Sequence, residues 1–245
     1  MRSASLLFYF TVIIKISAIN SLLIKRFGIP NRNRKSPNPL DMLIATILSQ
    51  NTNDRNSYQA YTNLKSKFTR WDKVTDARQI EIENCIRIGG LAKQKARTIK
   101  SILKQLQLQK KMNLNFLNDL TVDYAISELT RFKGVGVKTA SCVLLFSLGR
   151  NVCPVDTHVH RTLNRIGLVK TNAPAKTYEV INKNLPEGIA HALHTSLIKL
   201  GRDICKSTKP VCSICPLLKV CGYKNKNLTP PKNMKSNHFL LLDNV

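Results

Sequence analysis

Two sets of residues have the types and spacing to do chemistry. Four cysteines lie near the C-terminus as Cys205-x6-Cys212-x2-Cys215-x5-Cys221, and Lys138 sits directly behind a glycine turn in Phe132-Lys133-Gly134-Val135-Gly136-Val137-Lys138. Four thiolates within seventeen residues can wrap one metal centre, with the close Cys212-x2-Cys215 pair setting the bite. Zinc ribbons and fingers use two separated C-x2-C pairs, or a cysteine pair followed by a histidine pair. One close pair, asymmetric outer cysteines and Pro216 behind Cys215 suit a cubane instead, whose four irons each take one thiolate. A structural zinc knot is the alternative. In the second set, Gly134 and Gly136 let the backbone turn sharply and come close to something bulky. A helix that follows such a turn starts with its amides free, an anion site suited to a phosphate. Lys138 falls in its first turn, where the helix dipole and basic surroundings favour the neutral amine. A neutral amine can attack a sugar C1′ and form a Schiff base; the plainer reading is one more phosphate-contacting lysine. Asp156, just ahead of an apolar helical pattern, reads on its own as an ordinary N-cap.

The elements that must position these residues are helical throughout, because no stretch keeps a period-two alternation bounded by hairpin turns. Asn38 as N-cap with Pro39 behind it opens an apolar helix through Leu48. Further helices are expected over 54–68, 77–87, 92–108, 123–132, from the glycine turn to 148, and over 156–166, 176–184 and 189–200. The polar, basic stretch 31–37 reads as a linker. Leu6 to Ile14 is an apolar run of nine residues between Arg2 and Lys15. It is too short to span a bilayer but long enough for a signal-peptide core. No small-residue cleavage site follows, and apolar residues continue at helical spacing, so a packing helix over 16–27 is expected, ending near Arg26 and Gly28. The first fifteen residues then read as an extension or a mis-assigned start.

Composition narrows the partner. The 245 residues can bury a real core, and 39 Lys and Arg against 14 Asp and Glu leave a formal charge of +25. Such a surplus repels itself in the compact state and points to a polyanion: DNA, RNA or an anionic membrane surface. The basic residues are spread along the chain, which favours a globular nucleic-acid binder. Only 6% of residues are aromatic, which argues against reading single strands by stacking. Cys85, Cys142 and Cys153 sit singly among apolar residues, and the odd cysteine count points to a reducing compartment.

The cysteine spacing, the hairpin lysine and Val155-Asp156-Thr157-His158 about a helix later together resemble the endonuclease III family of DNA glycosylases, from about Pro39 to Cys221. The resemblance implies an all-α, two-lobed helix-hairpin-helix fold with a cleft between the lobes. Residues 1–37 would be an extension and helix packing on the cluster lobe, 38–150 a helical barrel, 151–222 the cluster lobe, and 223–245 a basic, loosely ordered tail. It implies a [4Fe–4S] cluster on Cys205, Cys212, Cys215 and Cys221, structural and DNA-orienting, with Lys206 and Lys209 placed to meet phosphates. Lys138 becomes the Schiff-base nucleophile. Asp156 stabilises charge developing on the sugar and assists the proton transfers. His158 and His160 are left as packing or phosphate contacts.

Two more segments match a base-flipping enzyme. Leu48-Ser49-Gln50-Asn51-Thr52-Asn53-Asp54 departs from the family's L-S-x-Q-x-T-D: Asn51 stands in the slot of the glutamine that fills the vacated stack, and Gln50 lies one residue early. Which of the two fills it stays open. Gly90-Leu91 matches a loop whose leucine wedges into the duplex, offsetting part of the unstacking cost. The implied activity is a bifunctional DNA glycosylase and abasic-site lyase that removes oxidised or damaged pyrimidines. It would act as a monomer on double-stranded DNA carrying a damaged base or abasic site, in the cytoplasm or whichever compartment holds the DNA, with no membrane partner. The alternatives are a mismatch glycosylase acting on T, U or A, and a non-catalytic, metal-stapled DNA-binding protein. Monofunctional relatives lack the hairpin lysine, and the tail is too short for an adenine enzyme's extra domain.

Overall fold

The computed structural model describes residues 2–31, 36–231 and 241, with side chains from residue 12 onward. Among these residues there are eleven α-helices and no strand. In chain order they are α1 (Arg2–Phe27), α2 (Pro39–Leu48), α3 (Asp54–Lys67), α4 (Trp71–Asp76), α5 (Gln79–Ile86), α6 (Ala92–Leu108), α7 (Val122–Thr130), α8 (Val137–Leu148), α9 (Thr157–Ile166), α10 (Pro174–Lys183) and α11 (Ala190–Lys199). The chain forms two compact units. A hairpin unit takes Arg32–Arg150 and Phe239–Val245, and a cysteine unit takes Met1–Asn31 and Asn151–His238.

The hairpin unit is built around α2 and α8. Nearly every residue of α2 from Leu40 on is buried, and α8 buries Thr139 to Leu145, so both lie inside and pack on each other. Each aliphatic side chain buried there contributes roughly 1.5–3 kcal/mol. Asn38 starts α2 by accepting the Leu40 amide at 2.9 Å, and Asn53 starts α3 by accepting that of Asn56 at 2.9 Å. The outer helices are amphipathic: α3 buries Ala60, Tyr61 and Leu64, and α6 buries Ala96, Ile99, Ile102, Leu103 and Leu106.

In the cysteine unit α1 packs on α11, with Ile16, Ile19 and Leu23 buried, and α9 packs on α10 and α11. A π turn over Leu200–Ile204 then leads out of α11 into the cysteine loop.

The structure departs from the sequence expectations at several points. The first helix begins at Arg2, not near residue 16, because no glycine or proline interrupts the chain before Gly28. Gly28 ends it at φ 75°, with its amide on the Ile24 carbonyl at 2.8 Å. No helix of the described residues is long and apolar enough to cross a membrane. The expected 77–87 helix is α5 followed by a 3-10 turn over Arg87–Gly89, and α4 and a 3-10 turn over Asn115–Asp119 were not foreseen. Half of the 31–37 linker and most of the tail lie outside the described residues. Of the tail, Asn227 accepts the Cys212 amide at 2.9 Å, and Leu241 is buried with its amide 3.2 Å from Asp54 Oδ2.

Candidate active site

The glycine turn lies between α7 and α8. Buried Phe132 and Val135 anchor it, with the Val135 amide on the Phe132 carbonyl at 3.0 Å, so Lys133, Gly134 and Gly136 face outward. The two glycines serve different ends. Gly134 has φ 90°, and a Cβ there would sit 2.8 Å from Thr98 Cγ2, so the fold itself demands glycine. Gly136 has an ordinary φ of −98°, and a Cβ there would meet nothing within 4 Å. The space over Gly136 is therefore open to an incoming group. As N-cap of α8, Gly136 offers no side-chain cap, and the first turn holds no acidic residue. The leading amides of α8 are left to an outside anion. Lys138 is half-buried in that first turn.

Two loops flank the turn within the same unit. Gln50 does not project away from the protein: its side-chain amide donates to the Gly134 carbonyl at 3.2 Å, tying the end of α2 to the turn. Its neighbour Asn51 is exposed and held in the left-handed region at φ 51°. Leu91 is also left-handed, at φ 49°, and half exposed behind Gly90 at φ 70°. A left-handed non-glycine residue costs roughly 1–3 kcal/mol and persists only where its surroundings hold it. The surroundings here include Lys95, which reading from sequence passed over. It is buried, and its ammonium donates to the Leu48 and Gly89 carbonyls, each at 2.8 Å. Burial lowers its pKa to about 8. A lysine sharing the α6 stripe with Ile99, Ile102 and Leu106 is the signal that marks it.

Asp156 belongs to the cysteine unit, where it caps α9 by accepting the Val159 amide at 2.8 Å on Oδ1. The two histidines behind it are engaged internally. His158 Nδ1 lies 3.3 Å from the Arg161 guanidinium, and burial lowers its pKa. His160 Nδ1 lies 2.7 Å from Thr177 Oγ1. The far side of α9 grips the cysteine loop. Arg161 donates to the Cys205 and Gly201 carbonyls at 3.0 and 2.8 Å, and Arg165 to those of Lys206 and Ser207 at 2.6 and 2.8 Å. Arg165 also stacks on Tyr223, 4.5 Å from the ring centroid. Lys206 and Lys209 lie exposed on this loop.

All four loop cysteines line one cavity, walled by Ile204, Pro210, Leu218 and Tyr223. No three His, Cys, Asp or Glu side chains among the described residues gather closely enough to hold a single metal ion. Four cysteine thiols on one cavity are a donor set that suits four-coordinate zinc or an iron–sulfur cluster. Arg165 and Lys226 border the cavity and complement the negative charge of four thiolates. In the bare protein burial pushes the Cys215 thiol up to about 11, a cost that coordination removes by deprotonating it.

Residues 44–187 match the family described as HhH-GPD superfamily base excision DNA repair protein. A protein of Arabidopsis thaliana called "Putative DNA glycosylase" is 44% identical over 172 residues, covering 69% of this chain and 58% of that protein. The chain thus spans less than two thirds of that relative's length. Endonuclease III of Thermotoga maritima is 35% identical over 201 residues, covering 82% of this chain and 89% of that one. A solved structure of a trapped endonuclease III–DNA covalent intermediate superposes with a TM-score of 0.73 at 28% identity, over 85% of this chain and 95% of that one.

Proposed function

The chain belongs to the endonuclease III family within the HhH-GPD superfamily of base excision DNA repair proteins, and we propose that it is a bifunctional DNA glycosylase and abasic-site lyase acting through Lys138. The observation that carries this reading is a half-buried lysine in the first turn of an uncapped helix, behind a glycine over which nothing is packed. Free amides there suit a DNA phosphate, and the phosphate brings the adjoining sugar to the lysine. The covalent intermediate trapped with the endonuclease III relative supports the same chemistry.

In the proposed reaction the neutral Lys138 amine attacks C1′. The N-glycosidic bond breaks, and the base leaves with the electron pair and takes up a proton. Asp156 is the proposed acceptor of the amine's proton. The C1′–O4′ bond then breaks as the nitrogen lone pair forms the protonated Schiff base, and O4′ takes up a proton; loss of a C2′ proton from that Schiff base expels the 3′ phosphate by breaking the C3′–O bond, and water releases the lysine. Asn51 and Leu91 enter the duplex as plug and wedge around the extruded nucleotide, and Gln50 stays behind as the tether of the turn. The substrate is double-stranded DNA carrying an oxidised or damaged pyrimidine or an abasic site, and the protein acts as a monomer.

Cys205, Cys212, Cys215 and Cys221 would hold a [4Fe–4S] cluster, whose bonds when bound stiffen the loop that presents Lys206 and Lys209 to phosphates. Protein purified anaerobically is expected to contain about four irons per chain and to absorb near ~400 nm. One zinc per chain and no colour would contradict it. The activity is tested on a thymine-glycol duplex, where Lys138→Gln is expected to lose strand nicking while still binding the DNA. Equal loss of both would reduce Lys138 to a phosphate contact.

A further inference from the structure

Among the described residues Lys95 is the only lysine, arginine or carboxylate that is buried. Its partners are two main-chain carbonyls, 2.8 Å away at Leu48 and 2.8 Å away at Gly89. Both close a helical element, the last turn of α2 and the 3-10 turn after α5, where carbonyls lack partners within the helix and carry the negative end of its dipole. Asn51 follows Leu48 by three residues and Leu91 follows Gly89 by two, each left-handed at φ 51° and 49°. The Lys95 amide also donates to the Leu91 carbonyl at 2.9 Å. One residue thus holds the roots of both strained loops. The second root has little freedom otherwise, since a Cβ on Gly89 would lie 3.2 Å from Ala60 Cβ on α3.

An apolar side chain filling this site would avoid the cost of burying an ammonium, which two neutral carbonyls offset only in part. Resting on the reading that Asn51 and Leu91 enter the duplex, we infer that Lys95 is a positioning residue. Its ammonium fixes the separation of plug and wedge, so that both loops enter the stack together. Without it each loop is free to relax out of its left-handed turn, and extrusion of a paired nucleotide slows. Attack on a nucleotide that is already unpaired needs neither loop and is untouched.

The test compares strand cleavage at an abasic site in a duplex with cleavage of the same strand without its complement. The readout is the ratio of the two rates in one protein sample, so any unfolded fraction cancels. Lys95→Met, which keeps the stem and removes the donors, is expected to lower the duplex-to-single-strand ratio by at least about tenfold, given two buried acceptors left unsatisfied. Lys95→Arg, which can still donate to both carbonyls, is expected to restore most of it. A parallel fall on both substrates, or no fall on either, would overturn the inference. Asn51→Ala and Leu91→Ala separate its failure from that of the underlying reading. If they lower the ratio and Lys95→Met does not, the inference about Lys95 alone is wrong. If they leave the ratio unchanged, plug and wedge are misassigned and the inference falls with them, whatever Lys95→Met does.

Discussion

The cap that Asp156 makes and the proton transfer proposed for it rest on one carboxylate, and substitution can part them. Its cap on the Val159 amide needs only a side-chain oxygen, which asparagine supplies as well as aspartate. Asp156→Asn is therefore expected to melt within a degree or two of wild type while turnover falls about a hundredfold or more, the range for a lost acid–base group. Asp156→Ala should lose the cap too, about 0.5–2 kcal/mol. Unchanged turnover in the asparagine variant would leave Asp156 a cap and nothing else. At this scale the sequence offers names more readily than bonds. Lys138, Asp156 and the four cysteines could be singled out because each sits in a spaced motif. The tether from Gln50 to the Gly134 carbonyl spans 84 residues, and the one from Lys95 to Leu48 spans 47. Carbonyl partners at such separations leave no mark on the sequence beyond a lysine on an apolar stripe.

The hairpin illustrates how one short element combines a folding constraint with an open face. Gly134→Ala forces a side chain to φ 90° and against Thr98, so a stability loss of roughly 1–3 kcal/mol is expected in thermal melts. Gly136→Ala meets no neighbour and needs no unusual backbone, so the melt should be unchanged or slightly raised. Its duplex affinity should nonetheless drop at least about fivefold, because the methyl group occupies the space a phosphate needs. Wild-type affinity in that variant would make the hairpin a turn and no more. Element boundaries were legible where apolar spacing meets a cap, as in α2, or a glycine break, as in α6 and α8. They were not where one signal was missing. α4 has six residues, too few to show a helical period, and is held by Trp71 donating to Asp41 at 2.6 Å. α1 carries apolar residues too continuously for its start to be placed by periodicity.

Across the whole molecule the dominant quantity is the charge of +25, spread over a fold whose all-helical class was readable from the absence of any two-residue alternation. Binding driven by that charge releases counterions. Affinity for undamaged duplex is expected to fall by orders of magnitude between about 50 and 200 mM salt, as for proteins contacting several phosphates. A flat salt dependence would mean that few of the basic residues touch the backbone. The most direct test of the proposed chemistry is borohydride trapping on abasic and thymine-glycol duplexes, comparing wild type with Lys138→Gln. A covalent protein–DNA adduct with wild type alone is the predicted result. Base release without any adduct would contradict it and make the protein a monofunctional glycosylase.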